Sequence, residues 1–167
     1  MRLKSGDETI FDHVDEEIDA CEAAQIEWSI VPGITAASAA VVIGQSLTRR
    51  QRNPSVRFLT GHDMHGFHDQ DWQALAKTDT VAAINMEKKS VRFVQSRLLM
   101  HGTDPKAPVS IIDYASKTNQ RTIEARLDNL AETLRAQTVS GPALTLFGLA
   151  PRKAALQIEK HHEKVSA

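Results

Sequence analysis

The feature that most constrains this chain is the order of its apolar segments after residue 55. Runs at Val56–Thr60, Thr80–Asn85, Val109–Tyr114, Arg121–Arg126 and Ala143–Phe147 have strand length and composition. Between them lie segments with helical spacing: a short one around Trp72–Ala76, then Val91–Gly102 and Leu127–Gln137. Strands that alternate with helices predict an α/β layered protein, here a complete lobe over about 55–150 with a mostly buried mixed sheet.

The front of the chain reads differently. Arg2-Leu3-Lys4 has the look of a strand tail that runs at once into Ser5-Gly6-Asp7. Residues 12–25 predict a helix with one buried stripe at Val14, Ile18, Cys21 and Ala24. Trp28–Val31 predicts a short strand stopped by Pro32-Gly33, and Thr35–Ile43 a small-residue helix ending at Gly44. One strand–helix–strand unit cannot cover both faces of a parallel sheet. The expectation is therefore a chain that starts in mid-domain, with Leu3, Ile18, Trp28, Ile30 and Val31 left uncovered. Residues 45–54 are polar and irregular, a linker, and 151–164 predict a charged terminal helix.

Twenty basic residues stand against 21 acidic, so no global field recruits nucleic acid or anionic lipid. No apolar run reaches the length of a membrane span, and Met1-Arg2-Leu3-Lys4 lacks the layout of a signal peptide. The single cysteine, Cys21, rules out an internal disulfide and reads as a packing residue. A cytoplasmic location is the expectation.

Small residues punctuate the strand ends at Ser5-Gly6-Asp7, Val31-Pro32-Gly33-Ile34-Thr35-Ala36-Ala37-Ser38 and Thr60-Gly61-His62. In α/β sheets, ligands sit beyond the carboxyl ends of strands, where a bare backbone lets them approach. Alone, these loops suggest a small-molecule site or plain turn chemistry. In order with Leu-Thr-Arg-Arg, Ser-Val-Arg-Phe-Leu-Thr-Gly-His, Asp-Trp-Gln-Ala-Leu-Ala and Gly-Pro-Ala-Leu, they are more specific. From about residue 2 to about 150, this succession resembles the uroporphyrinogen-III C-methyltransferases of the tetrapyrrole methylase family, which also form the methylase half of sirohaem synthase.

The resemblance implies a first lobe that ends near residue 44 and shares S-adenosylmethionine with a second lobe. By position, Ser5, Gly6, Asp7 and Ile10 match the family's first cofactor loop, Thr35 and Ala36 its second segment. Met86 matches a methionine at a strand end of the second lobe, and Ala115 a small residue after the next strand. Taken singly, Thr35 could simply start a helix and Met86 could be core. The implied reaction carries a methyl group from sulfonium to pyrrole carbons of uroporphyrinogen III, towards precorrin-2, without a metal. Homodimers are the family habit.

The implied substrate has carboxylates around its rim, and Arg49, Arg50, Arg52 and Arg57 cluster on the linker and the strand after it. Arginine's planar fork suits carboxylates. A solvated basic loop is the plainer alternative; a nucleic-acid patch lacks the interleaved aromatics it needs. His62, His65 and His68, with Asp63 and Asp69 nearby, sit in a Gly-containing loop, so their rings need not converge on a metal.

The chain departs from the family at several points. Ser5-Gly6-Asp7-Glu8 stands for Gly-Gly-Asp-Pro, and Phe11–Glu17 loses an arginine and three glycines. Asn85-Met86-Glu87 stands for Tyr-Met-Gly, and Ala115 for a glycine. The family's opening segment, with its Gly-x-Gly-Pro-Gly-Asp turn and the acid and lysine proposed for catalysis, has no counterpart, so no catalytic residue is assigned. Three functions stay open: a methyltransferase acting within a longer or split enzyme, a non-catalytic relative that binds a tetrapyrrole or a partner, or the same fold acting on a later cobalamin precursor or another methyl acceptor.

Overall fold

The computed structural model describes residues 1–4, 6–49, 53–60, 70–77, 79–86, 90–139 and 143–152, the side chain of Met86 excepted. Its contacts divide the chain into two compact units, Met1–Ser38 and Ala39–Ala167.

The first unit contains one α-helix, α1 (Val14–Ala23), with acidic residues at Asp15, Glu16 and Glu17 in its first turn, where the helix dipole favours them. None of its residues is fully buried. The stripe expected at Val14, Ile18, Cys21 and Ala24 is half-covered at its first three positions and exposed at the fourth. The strands expected at Arg2–Lys4 and Trp28–Val31 do not form; both segments run without pairing. A strand exists only where its N–H and C=O groups find a ladder, and neither segment meets one among the described residues. Leu3 and Val31 are each 82% exposed and Trp28 46% exposed, so the apolar surface expected at the front of the chain is present.

A 3-10 helix, Ala36–Ile43, follows instead of the expected α-helix. The second unit then runs β1 (Arg57–Thr60), α2 (Trp72–Leu75), β2 (Ala82–Met86), α3 (Val91–Met100), β3 (Pro108–Asp113), β4 (Arg121–Arg126), a 3-10 turn (Leu127–Asn129), α4 (Leu130–Ala136) and β5 (Ala143–Phe147). The five strands make one mixed sheet in the order β1-β2-β5-β3-β4. Among the described residues β1 and β2 pair in parallel, β5 lies antiparallel between β2 and β3, and β4 lies antiparallel on β3.

The sheet is buried on both faces at its centre. One face carries Ala82, Ile84, Val109, Ile111, Ile123 and Ala125 into a core shared with Trp72 and Leu75 of α2, Val91, Val94 and Leu98 of α3, and Leu130 and Leu134 of α4. These helical positions recur at three to four residues, so each helix turns one stripe inwards. On the other face, Ala83, Ile112, Leu144 and Leu146 are also buried. Past β5 the chain ties back to the end of the 3-10 helix: the Arg152 amide donates to Ile43 O at 2.9 Å, and Gln45 Nε2 to Ala150 O at 3.0 Å. Asp71 caps α2 by accepting from the Ala74 amide. The expected terminal helix lies outside the described residues.

Candidate functional site

In the first unit, two small-residue loops that are distant in sequence come together. A Cβ added to Gly33 would fall 1.8 Å from the Gly6 carbonyl oxygen and 3.2 Å from Asp7 Cα, so a side chain at position 33 would force one backbone to move. Gly6 has a φ of 89°, in the left-handed region that favours glycine. Asp7 then closes a turn, its Oδ1 accepting from the Thr9 amide at 3.0 Å and from Thr9 Oγ1 at 2.6 Å. The Ile10 amide donates to Asp7 O at 3.2 Å. Thr35 starts the 3-10 helix: its Oγ1 accepts from the Ala37 amide at 3.4 Å and its carbonyl from the Ser38 amide at 2.9 Å. Asp7, Ile10 and Thr35 are half-buried, while Gly6 and Ala36 are exposed. Ser5 lies outside the described residues.

An ion-pair cluster beside these loops was not read from the sequence. Lys4 Nζ lies 2.5 Å from Glu17 Oε1 and 3.2 Å from Asp12 Oδ2, and Arg2 Nη2 lies 3.2 Å from Glu17 Oε1. These contacts fasten residues 2–4 to α1 without strand pairing. The hydrogen bond with Glu17 raises the Lys4 pKa, with Asp12 adding to it against partial desolvation. Asp12 is held below the ordinary carboxylate range, first by the His13 amide and then by Lys4. The alternation of basic residues at 2 and 4 with acidic residues at 12 and 17 was the available signal.

In the second unit, Met86 and Asp113 are both cross-strand neighbours of Ala143, and Thr60 of Asn85. The carboxyl ends of β1, β2 and β3 therefore share one end of the sheet, where α/β proteins bind ligands. Ala115, half-buried, sits in the turn after β3. That turn is held by Lys117 N to Tyr114 O and Gln120 N to Lys117 O, both 3.0 Å, and by Ser116 N to Gln120 Oε1 at 2.7 Å. Tyr114 and Ser116 have φ of 53° and 64°, conformations that residues with side chains seldom adopt. At the base of the turn Asp113 is fully buried, and its Oδ2 accepts from Arg121 Nη2 at 2.5 Å. Sequence reading missed this pair, since the two residues fall in separate strand runs, Val109–Tyr114 and Arg121–Arg126, with no signal that joins them.

Arg49 and Arg57 are exposed; Arg50 and Arg52 lie outside the described residues. Arg49 and Asn53 exchange both backbone hydrogen bonds, at 2.8 and 2.9 Å. Asn53 is buried and its Nδ2 donates to Leu47 O and Ser55 O, so the expected linker is pinned at that point. An Asn before a proline is a turn signal, and it stood in the sequence. The histidines at 62, 65 and 68 lie outside the described residues. Among the described residues, no three His, Cys, Asp or Glu side chains converge as metal ligands, and no helix is long and apolar enough to cross a membrane.

With this geometry in view, residues 1–131 match the family described as Tetrapyrrole (Corrin/Porphyrin) Methylases. The chain belongs to that family. Among curated proteins it is 36% identical over 148 residues to a siroheme synthase of Pseudoalteromonas translucida, covering 88% of this chain and 31% of that protein. It is 39% identical over 149 residues to a siroheme synthase of Zymomonas mobilis, again covering 31% of it and 89% of this chain. The chain thus spans about a third of the length of the curated relatives it matches. Among solved structures it is similar to uroporphyrin-III C-methyl transferase from Thermus thermophilus complexed with S-adenyl homocysteine. There the TM-score is 0.72 at 25% identity, over 92% of this chain and 64% of that one. A cobalt precorrin-4 methyltransferase shares the fold at a TM-score of 0.77 and 19% identity, over 86% of this chain and 61% of that one.

Proposed function

We propose that this chain provides donor- and substrate-binding parts of an S-adenosylmethionine-dependent C-methyltransferase that acts on uroporphyrinogen III towards precorrin-2. The observation that carries the reading is the contact of Gly33 with the Gly6–Asp7 backbone. It joins two loops that resemble the family's donor-binding segments, and it leaves bare peptide groups where an adenosyl or methionyl group needs donors and acceptors. In the first unit, Ser5, Gly6, Asp7, Ile10, Thr35 and Ala36 are assigned to the donor. In the second, Met86 and Ala115 are assigned to it.

The sulfonium supplies an already activated methyl group, so the protein's work is placement and electrostatics. Arg49 and Arg57, both exposed, and Arg50 are assigned to the carboxylate rim of the tetrapyrrole. Pairing between copies of the chain, through the exposed apolar residues of the first unit, completes the proposal. The location that goes with this chemistry is the cytoplasm.

A second reading keeps binding without turnover. The exposure of Leu3, Trp28 and Val31 favours it, because a loosely covered first unit holds its loops less rigidly than catalysis demands. Calorimetry with S-adenosylhomocysteine, followed by a methyl-transfer assay on uroporphyrinogen III, tests both. Donor binding with transfer supports the first reading; no transfer, with uroporphyrin still bound in a separate titration, supports the second.

A further inference from the structure

Asp113 has an acceptor to spare at the end of the sheet where the donor contacts are assigned. Its side chain is 0% exposed. Oδ2 is taken by Arg121 Nη2, and the same guanidinium reaches Gln137 O through Nη1 at 3.4 Å. Oδ1 is buried with no hydrogen-bond partner among the described residues. A buried carboxylate oxygen without a donor is costly, and native proteins seldom keep one unless the position has a use.

The place in the fold suggests that use. Asp113 and Met86 flank Ala143 in one cross-strand row, so two strand spacings, roughly 10 Å, separate their backbones. Two residues further on is Ala115. Arg121 already balances the charge of Asp113, so a second cation at Oδ1 would be surplus. What the oxygen lacks is a neutral donor, and a hydroxyl meets that need.

We infer that Asp113 is a further donor-binding residue, its Oδ1 accepting a hydrogen bond from a ribose hydroxyl of an S-adenosyl ligand. The inference rests on the proposed function. Oδ1 is covered, so the hydroxyl reaches it through a shift of the turn Tyr114–Gln120. The left-handed Tyr114 and Ser116 give that turn a conformation other than the lowest for their residue types.

The test is a binding cycle by calorimetry on the full chain, with S-adenosylhomocysteine and its 2′-deoxy and 3′-deoxy analogues as probes. With the wild type, one deoxy analogue should bind about tenfold more weakly than the parent, equivalent to about 1.4 kcal/mol. With Asp113→Asn, the parent should weaken by a similar factor and the same deoxy analogue should lose less than about twofold more, because the two changes remove one interaction. A merely structural Asp113 gives penalties that multiply, and that result overturns the inference. If Asp113→Asn does not fold, the wild-type series still decides, since equal binding of all three probes overturns it. A wild type that binds no S-adenosylhomocysteine overturns the inference and the proposed function together, whereas binding without the hydroxyl effect removes the inference alone.

Discussion

Gly33 lies so close to Gly6 that a methyl group on it would penetrate the Gly6 carbonyl oxygen, at 1.8 Å. Two loops separated by a helix and an unpaired segment depend on this contact. Gly33→Ala should therefore shift one backbone away from the other, at a cost of about 1–3 kcal/mol by analogy with overpacking. Amide exchange should speed up at residues 6–10 and 33–38 while the sheet of the second unit keeps its protection. Unchanged exchange in both loops would mean that the contact is not what holds them.

The ion pairs of Lys4 set a pH window for the first unit. The Lys4 pKa is raised above its ordinary 10.5, so its contribution is complete below that value and fades as the pH climbs through the shifted one. The Asp12 pKa is lowered from its ordinary 3.8, so its contribution holds above 3.8 and disappears as the pH falls through the shifted value. Asp12 carboxyl titration, followed by carbon NMR, should centre below 3.8. Lys4→Met should move that midpoint upwards. A midpoint at or above 3.8 in the wild type would remove the cluster from the account.

Exposed apolar side chains in the first unit should drive association. Leu3, Val31 and Ile34 are each more than three-quarters exposed, with Trp28 about half. Light scattering after size exclusion should find dimers or larger species, and Val31→Lys with Leu3→Lys should shift the population towards monomer. A wild-type monomer at high concentration, with its first 31 residues well protected from exchange, would contradict this.

Much of the second unit was legible because its strands are short and bounded by turn residues, and are either mainly apolar or, as in β4, alternate buried Ile123 and Ala125 with charged neighbours. Arg121–Arg126 and Ala143–Phe147 appear with the expected limits, and β2 runs one residue past its expected end, to Met86. The placement of β5 between β2 and β3 was not legible, since it depends on pairing between segments about 30 to 60 residues apart. Arg2–Lys4 and Trp28–Val31 were read as strands and meet no ladder among the described residues, and composition alone cannot supply one. Asn53 looked like linker because the Asn-Pro pair announces only a turn, while its burial comes from Leu47 O and Ser55 O.

Arg57 is exposed on β1, an edge strand of the sheet. Arg57→Ala should weaken binding of a uroporphyrinogen-type tetracarboxylate or octacarboxylate by about 1.5–3 kcal/mol, the worth of a charged hydrogen bond, and leave S-adenosylhomocysteine binding within twofold. Fluorescence titration with uroporphyrin I as a stable stand-in measures the first quantity and calorimetry the second. Equal porphyrin affinity in both proteins would make Arg57 an ordinary solvated side chain.

Calorimetry of the full chain with S-adenosylhomocysteine bears most directly on the central claim. Saturable binding at one site per chain is the expected result, lost or at least tenfold weaker in Gly33→Ala, whose loops can no longer meet. An absence of heat with the wild type, confirmed by unchanged amide exchange at residues 6–10 and 33–38 on adding ligand, would contradict it.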